Sequence, residues 1–366
     1  MTVQTSARLS LCMIVKDEAD MLPGFLERVR GLWDELVAVD TGSTDHSVAL
    51  LEAAGARVLH QPWRDDFALA RNHSLDAATG EWIIFLDPDE YVSPAFVAQA
   101  RAVLDDGHIG AATVAMQNLR EDGHVQEAHL LRMFRRAPEV RFRHAIHEDV
   151  AETLLPQLRA TGQVLVHLAA PVTHHGYRKE IAQARNKKQR DTAIIQASLG
   201  QDPDDLYLHF KLLEQARFWG DAALASAVAP AALEAWQRVP DSGLNFWAGE
   251  LAVMLVDGLY AGQWEAALVE LQAMAVRVPD SPAIALRRGE LLELLGRLED
   301  ANAAFKSALS LQGPAINNQL GGVRPRMGLV RIAIALQDMD TARAHLQLAH
   351  QLAPNDREVV FTKGLL

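Results

Sequence analysis

Four short runs rich in apolar residues open the chain, each separated from the next by a stretch with helical spacing. Leu9–Val15 (LSLCMIV) is apolar almost throughout, as suits a strand buried on both faces. Glu35–Asp40 (ELVAVD), Ala56–Gln61 (ARVLHQ) and Glu81–Asp87 (EWIIFLD) follow, with helical stretches near 21–32, 47–54 and 67–78 between them. Gly80 is expected to close the third helix as a left-handed cap. Strand and helix in alternation, joined by short links, predict right-handed βαβ units and a mainly parallel sheet, an α/β fold. In such sheets ligands sit beyond the carboxyl ends of the strands. The polar clusters fall there: Lys16-Asp17-Glu18, Asp40-Thr41-Gly42-Ser43 and Asp87-Pro88-Asp89-Glu90.

From about Asp204 onward the pattern is helical alone, dividing the chain into an α/β domain over 1–200 and an all-α domain over 201–366. Gly262, Ala267 and Pro279 recur as Gly296, Ala301 and, one residue late, Pro314, a period of about 34 residues typical of tetratricopeptide repeats. Phe305 and Ala308 fill further positions of that repeat, Ala342, Leu346, Ala349 and Pro354 make another unit, and Tyr207–Val239 reads as a divergent first one. The repeats are expected to stack into a concave groove that recognises an acceptor or holds subunits of a homo-oligomer together.

With 49% hydrophobic and 22% charged residues, 366 residues suffice for two cores. The net charge of −12 argues against a nucleic-acid-coating protein. One cysteine, Cys12, leaves no disulfide framework and no cysteine-based zinc site, which suits a reducing cytoplasm. No signal peptide and no apolar run of ~20 residues is seen, so a cytoplasmic protein, at most in peripheral contact with a membrane, is expected.

Asp87 and Asp89, separated by one residue just past a buried strand, can share a divalent cation. Mn²⁺ or Mg²⁺ would take oxygen ligands from carboxylate and diphosphate together and neutralise charge on a departing nucleoside diphosphate.

Residues 9–92, from SLCMIVKDEADML through VAVDTGSTDHS and ARNHSLDAATGEWIIFLDPDEY, resemble glycosyltransferase family 2. RFRHAIHEDV and VTHHGYRKE, with repeats behind them, resemble the subgroup fused to tetratricopeptide repeats, which includes peptide S-glycosyltransferases and relatives of lipopolysaccharide-core glucosyltransferases. The resemblance implies a Rossmann-like GT-A domain for a nucleotide sugar, UDP-sugar favoured, and an inverting hexosyl transfer to a peptide or glycan acceptor. It further implies that Asp40 hydrogen-bonds the base, Arg71 holds base or diphosphate, and Asp87 contacts ribose and metal. Asp89 would be the main metal ligand, while Lys16, Asp17 and Glu18 would line the nucleoside pocket. The family commonly has Asn at Asp17, so Glu18 is the firmer candidate.

Other readings stand beside these. Asp40 can hold its own turn, Arg71 can be an exposed partner of Asp65 or Asp66, and Glu90 can be a solvated turn residue. Asn72-His73-Ser74 matches a glycosylation sequon by chance. For the acceptor side, Glu148 beside His147 is the candidate general base. His174 or His175 is a candidate ligand to the metal or diphosphate. Arg178, Lys179, Arg185, Lys187, Lys188 and Arg190 form the one dense basic patch, either a solvated helix face or a clamp on the diphosphate. The competing functions are an inactive transferase-like scaffold and a nucleotidyltransferase. The acidic, glycine-free Lys16–Asp20 loop speaks against the second.

Overall fold

The computed structural model describes residues 9–119, 125–174, 180–244, 247–311 and 322–366, without the side chains of 118–119, 125–127, 174, 180–187 and 242. The chain forms two compact units, Met1–Ser198 and Leu199–Leu366.

The first unit runs β1 (Leu9–Val15), α1 (Leu22–Arg28), β2 (Glu35–Asp40), α2 (Ser47–Ala53), β3 (Arg57–His60), α3 (Phe67–Ala77) and β4 (Trp82–Phe85). It continues through β5 (Glu90–Val92), α4 (Pro94–Ala102), β6 (Ile109–Leu119), β7 (Val125–Arg135), α5 (Ala151–Thr161), β8 (Val164–His174) and α6 (Glu180–Gln201). Among the described residues the strands make one sheet of order β3-β2-β1-β4-β7-β6-β8-β5. The four N-terminal strands are parallel, with Val15 opposite Asp40 and Cys12 opposite Phe85. Beyond β4 the sheet is mixed: β7 is antiparallel to both β4 and β6, β8 is parallel to β6, and β5 is antiparallel to β8. The expected mainly parallel sheet therefore holds only up to β4, because the β6–β7 pair docks Phe134 and Arg135 antiparallel against Ile83 and Trp82. Alternate residues of β1 serve opposite cores. Leu9, Leu11 and Met13 pack with Phe25, Trp82 and Phe96, and Cys12 packs with Ile83, Phe85 and Phe134.

Gly80 is not the left-handed cap that its position suggests. Helix α3 stops at Ala77, Ala78 turns extended (φ −66°, ψ 137°), and Gly80 N–H donates to Ser10 Oγ at 2.9 Å. The helix is ended by that buried tie to β1, not by glycine's freedom.

The second unit pairs α7 (Leu206–Phe218) with α8 (Ala222–Arg238), α9 (Ala248–Leu259) with α10 (Trp264–Ala275), α11 (Pro282–Leu294) with α12 (Leu298–Ser310), and α13 (Arg324–Ala335) with α14 (Met339–Leu352), and ends in α15 (Arg357–Leu365). Gly262 and Gly296 make the left-handed turns inside two pairs (φ 77° and 71°), and Gln337 takes the equivalent backbone without glycine (φ 61°). Ala267, Ala301 and Ala342 are buried at close helix contacts. Phe305 is fully buried between two backbones, since a Cβ on Gly289 or Gly328 would fall 2.6 or 2.5 Å from its ring. Pro314 lies outside the described residues. Among the described residues, no helix is long and apolar enough to cross a membrane.

Candidate active site

The loops after β1 and β2 are stitched together by backbone-to-side-chain bonds. Asp17, Glu18 and Ala19 amides donate to Ser43 Oγ (2.9 Å), Ser47 Oγ (2.7 Å) and Asp45 Oδ2 (3.0 Å). Asp17 Oδ1 returns the contact, accepting from Thr44 N at 2.7 Å. Asp17 has φ 53°, a backbone region that Asp and Asn tolerate better than most residues. That explains an Asn-or-Asp position on structural grounds alone. Glu18 is half-buried at the rim of these loops.

Asp40 is 5% exposed and builds the next turn: Oδ1 accepts from Ser43 N at 3.0 Å, Oδ2 from Gly42 N at 3.3 Å, and His60 Nδ1 lies 3.3 Å from Oδ2. Burial pushes its pKa up, but the bonds from Ser43, His60 and Gly42 outweigh that and hold it below the ordinary carboxylate value. The turn-holding reading of Asp40 is what its contacts display.

The centre of the site is Arg71. Asp66 caps α3 by accepting from Leu69 N at 2.8 Å, which fixes the helix start and places Arg71 one turn inside, 6% exposed. Its Nε donates to Glu148 Oε1 at 2.6 Å, and its Nη2 reaches Asp87 Oδ1 and Oδ2 at 3.1 and 3.2 Å. The guanidinium lies 5.3 Å from the Phe85 ring centroid and 5.7 Å from that of Phe142. Burial works against its charge, but Asp87 and Glu148 together keep the guanidinium pKa above its ordinary value. Arg71 is therefore not an exposed partner of Asp65 or Asp66. One cation joins the β4 carboxylate to the Glu148 loop.

That loop is held in an uncommon backbone. His144 and His147 have φ 66° and 56°, and Arg143 and Asp149 close its base as an isolated bridge. Left-handed residues of this kind cost about 1–2 kcal/mol each and cluster where geometry is functional. His147 is half-buried next to Glu148.

Glu90 is not a solvated turn residue. It is 4% exposed, accepts from Asp87 N at 3.1 Å and forms an ion pair with Arg132. Burial, reinforced by the charge of Asp87, holds its pKa above the usual range against the pull of Arg132. Glu90 and Arg132 thus form the floor under the Asp87–Asp89 turn, where Asp89 is half-buried. Arg132 was not anticipated from sequence. The signal lay in β7, where VQEAHLLRMFR places Arg132 just before the buried pair Met133–Phe134 that packs on β4.

The remaining candidates fall elsewhere. His174 ends β8 opposite Glu90, but its side chain lies outside the described residues, as do His175, Arg178 and Lys179 and the side chains of Arg185 and Lys187. Among the described residues no three His, Cys, Asp or Glu side chains come together as a closed metal site. Arg190 pairs with Asp191 at 2.7 Å. Asn72 exchanges bonds with the Phe142 backbone at 3.0 and 2.9 Å, a structural role that fits a chance sequon. Burial pushes the Cys12 thiol up to about 12, so it is no nucleophile.

A wound sheet with acidic turns at its carboxyl edge, followed by paired helices, defines the class: a GT-A-like α/β domain joined to a TPR-like helical unit. Residues 10–153 match the family model for glycosyl transferase family 2. That stretch, which carries the acidic turns, is thus similar to family 2 glycosyltransferases. A TPR repeat-containing protein of Synechococcus elongatus is 38% identical over 208 residues, covering 56% of this chain and 51% of the relative. The SPbeta prophage-derived glycosyltransferase SunS of Bacillus subtilis is 27% identical over 199 residues, covering 53% and 45%. The chain spans about half the length of these relatives. The mannosyltransferase PcManGT of Pyrobaculum calidifontis, solved with GDP-Man and Mn²⁺, is a loose structural neighbour at 16% identity and a TM-score of 0.38, covering 78% of this chain and 88% of that one.

Proposed function

We propose that this chain is a metal-dependent, inverting glycosyltransferase that moves a hexosyl group from a nucleoside-diphosphate sugar, a UDP-sugar first among candidates, to a peptide or glycan acceptor. The observation that carries the reading is the Arg71 bridge between Asp87, at the end of β4, and Glu148, on a strained loop. It holds a donor-side and an acceptor-side carboxylate in one rigid unit. The carboxylate oxygens of Asp87 and Asp89 are the hard donors that Mn²⁺ or Mg²⁺ requires, and Asp87 keeps 32% of its side chain exposed while bound to Arg71. Such a cation, when bound, stabilises the departing nucleoside diphosphate. Asp87 and Asp89 would hold that cation together with oxygens of the donor's diphosphate.

Asp40 acts by shaping the Thr41–Ser43 turn against which base and ribose rest, and Glu18 lines the same pocket. Glu148, one oxygen held by Arg71, takes the proton from the attacking acceptor group, with His147 beside it. His174 would be a further candidate ligand to that cation. The helical repeats recognise the acceptor.

Slow transfer to water needs no known acceptor, so UDP-glucose hydrolysis with and without Mn²⁺ tests the reading. Mn²⁺ together with UDP-glucose is expected to raise the melting temperature by mass action, and Asp89→Ala to abolish the Mn²⁺-dependent part of both signals. An Asp89→Ala protein with unchanged metal dependence would falsify the assignment.

A further inference from the structure

Trp63 and Phe67 lie between β3 and the first turn of α3, and neither belongs to the buried cores of the first unit. Both are half-buried, with ring centroids 4.6 Å apart in an edge-to-face arrangement at 64°. The Trp63 indole N–H donates to Asp65 Oδ1 at 2.8 Å, and Asp65 adopts φ 54°. A left-handed backbone at a non-glycine residue costs about 1–2 kcal/mol. Here it accompanies the fixing of an indole that core packing does not use. With its N–H already bonded, the indole has only ring surface left to offer. Arg190 stands over Phe67 at 5.3 Å, so charges of both signs, Asp65 and Arg190, border the aromatic pair.

The location of the pair gives it meaning. Phe67 N–H donates to Ala145 O at 2.7 Å, inside the loop that carries Glu148. Phe67 and Arg71 are four residues apart on one face of α3, about 5–6 Å between Cβ atoms, and Arg71 holds Glu148. A flat group resting on this platform therefore lies one helical turn from the arginine that holds the proposed base.

We infer that Trp63 and Phe67 form an acceptor subsite that stacks on the C–H face of a hexopyranose, making the acceptor a sugar ring. A pyranose presents an apolar face and a rim of hydroxyls that both donate and accept, which matches an aromatic surface bordered by a carboxylate and a guanidinium. A nucleobase would instead be read by the stitched loops of β1 and β2. The inference deepens the glycosyltransferase reading and rests on it for the role of Glu148.

Saturation-transfer NMR on the full chain tests it directly, with methyl glycosides of glucose, galactose, mannose and N-acetylglucosamine as probes and UMP as the nucleobase arm. At least one glycoside is expected to receive saturation on its ring C–H protons. Trp63→Phe is expected to keep that signal, and Trp63→Leu, its fold checked by circular dichroism, to weaken binding at least tenfold. The inference is overturned if no glycoside binds, if Trp63→Leu binds as wild type does, or if the Trp63 indole resonance, assigned by its loss in Trp63→Phe, responds to UMP and to no glycoside. Glycoside binding is measured without catalysis. A wild-type protein that binds glycoside but never hydrolyses UDP-glucose or responds to Mn²⁺ keeps the subsite and loses the transferase reading, and the reverse result loses the subsite alone.

Discussion

Arg71→Met tests the bridge at the heart of the site. The Arg71 side chain is 7% exposed and its partners Glu148 and Asp87 are 13% and 32% exposed. Methionine keeps most of the volume against Phe85 and Phe142 but leaves two carboxylates without their shared cation. Removing one partner of a buried pair costs about 3–5 kcal/mol. Asp87 is nearly a third exposed, so solvent screens its share, and the Glu148 arm dominates. A loss of about 3 kcal/mol is expected, a large part of the roughly 5–15 kcal/mol that holds a domain together. With a urea slope of about 2 kcal/mol/M, the midpoint of the first unit should fall by about 1.5 M. Hydrogen exchange on peptides covering α3 and β4 identifies that transition in a chain of two units.

Two companions make the argument specific. Arg71→Lys retains the charge but not the fork that reaches two carboxylates, and should recover only about half of the loss. Glu148→Gln in the Arg71→Met background removes the stranded charge and should restore at least about 1 kcal/mol, a coupling that independent sites do not show. Were Arg71→Met to cost under about 1 kcal/mol, or lysine to serve as well as arginine, the bridge would be an incidental contact.

Three further substitutions probe the rest of the molecule. Asp40 has a folded pKa below its unfolded value, so it contributes stability above the unfolded pKa of about 3.9 that is lost as pH falls through the folded value. Wild type should therefore exceed Asp40→Asn in urea midpoint at pH 7, with the gap closing towards pH 3. Gly328→Ala places a Cβ 2.5 Å from a Phe305 ring already confined by Gly289, and should cost about 1–3 kcal/mol in a thermal melt. Gln337→Gly relieves a left-handed residue at φ 61° and should stabilise the second unit by up to about 1 kcal/mol.

The legible parts of the sequence were those where one local pattern decides the outcome. Leu9–Val15, Glu35–Asp40 and the Trp82–Phe85 strand are short, apolar and followed by acids, so strand and site edge read off together. The 34-residue recurrence at Gly262 and Gly296 identified the repeat turns because left-handed backbone favours glycine. The same rule missed Gln337, which takes that conformation without the residue that announces it. It misled at Gly80, where a tertiary bond to Ser10 ends the helix instead. The Arg71 bridge was hidden for another reason. Its partners lie 16 and 77 residues away, and nothing in the ALARN segment distinguishes a guanidinium aimed at a ligand from one aimed at carboxylates. Arg132 and Glu90 were likewise joined only by the antiparallel extension of the sheet, which follows from no local periodicity.

His147 separates backbone from side-chain roles in the Glu148 loop. Its φ of 56° orients the following residue towards Arg71, so any replacement first has to keep that conformation. Asparagine tolerates it and alanine does not. If His147 mattered only as a backbone hinge, His147→Asn would retain UDP-glucose hydrolysis, and His147→Ala would lose about 1 kcal/mol of stability and activity together. The imidazole beside a candidate base argues for more. His147→Asn is therefore expected to melt within about 1 kcal/mol of wild type and to bind UDP-glucose with unchanged affinity, yet to lose about a hundredfold in kcat, the low end for a positioned acid–base group. A full rate in His147→Asn would leave Glu148 acting alone, with the histidine present for the shape of its peptide.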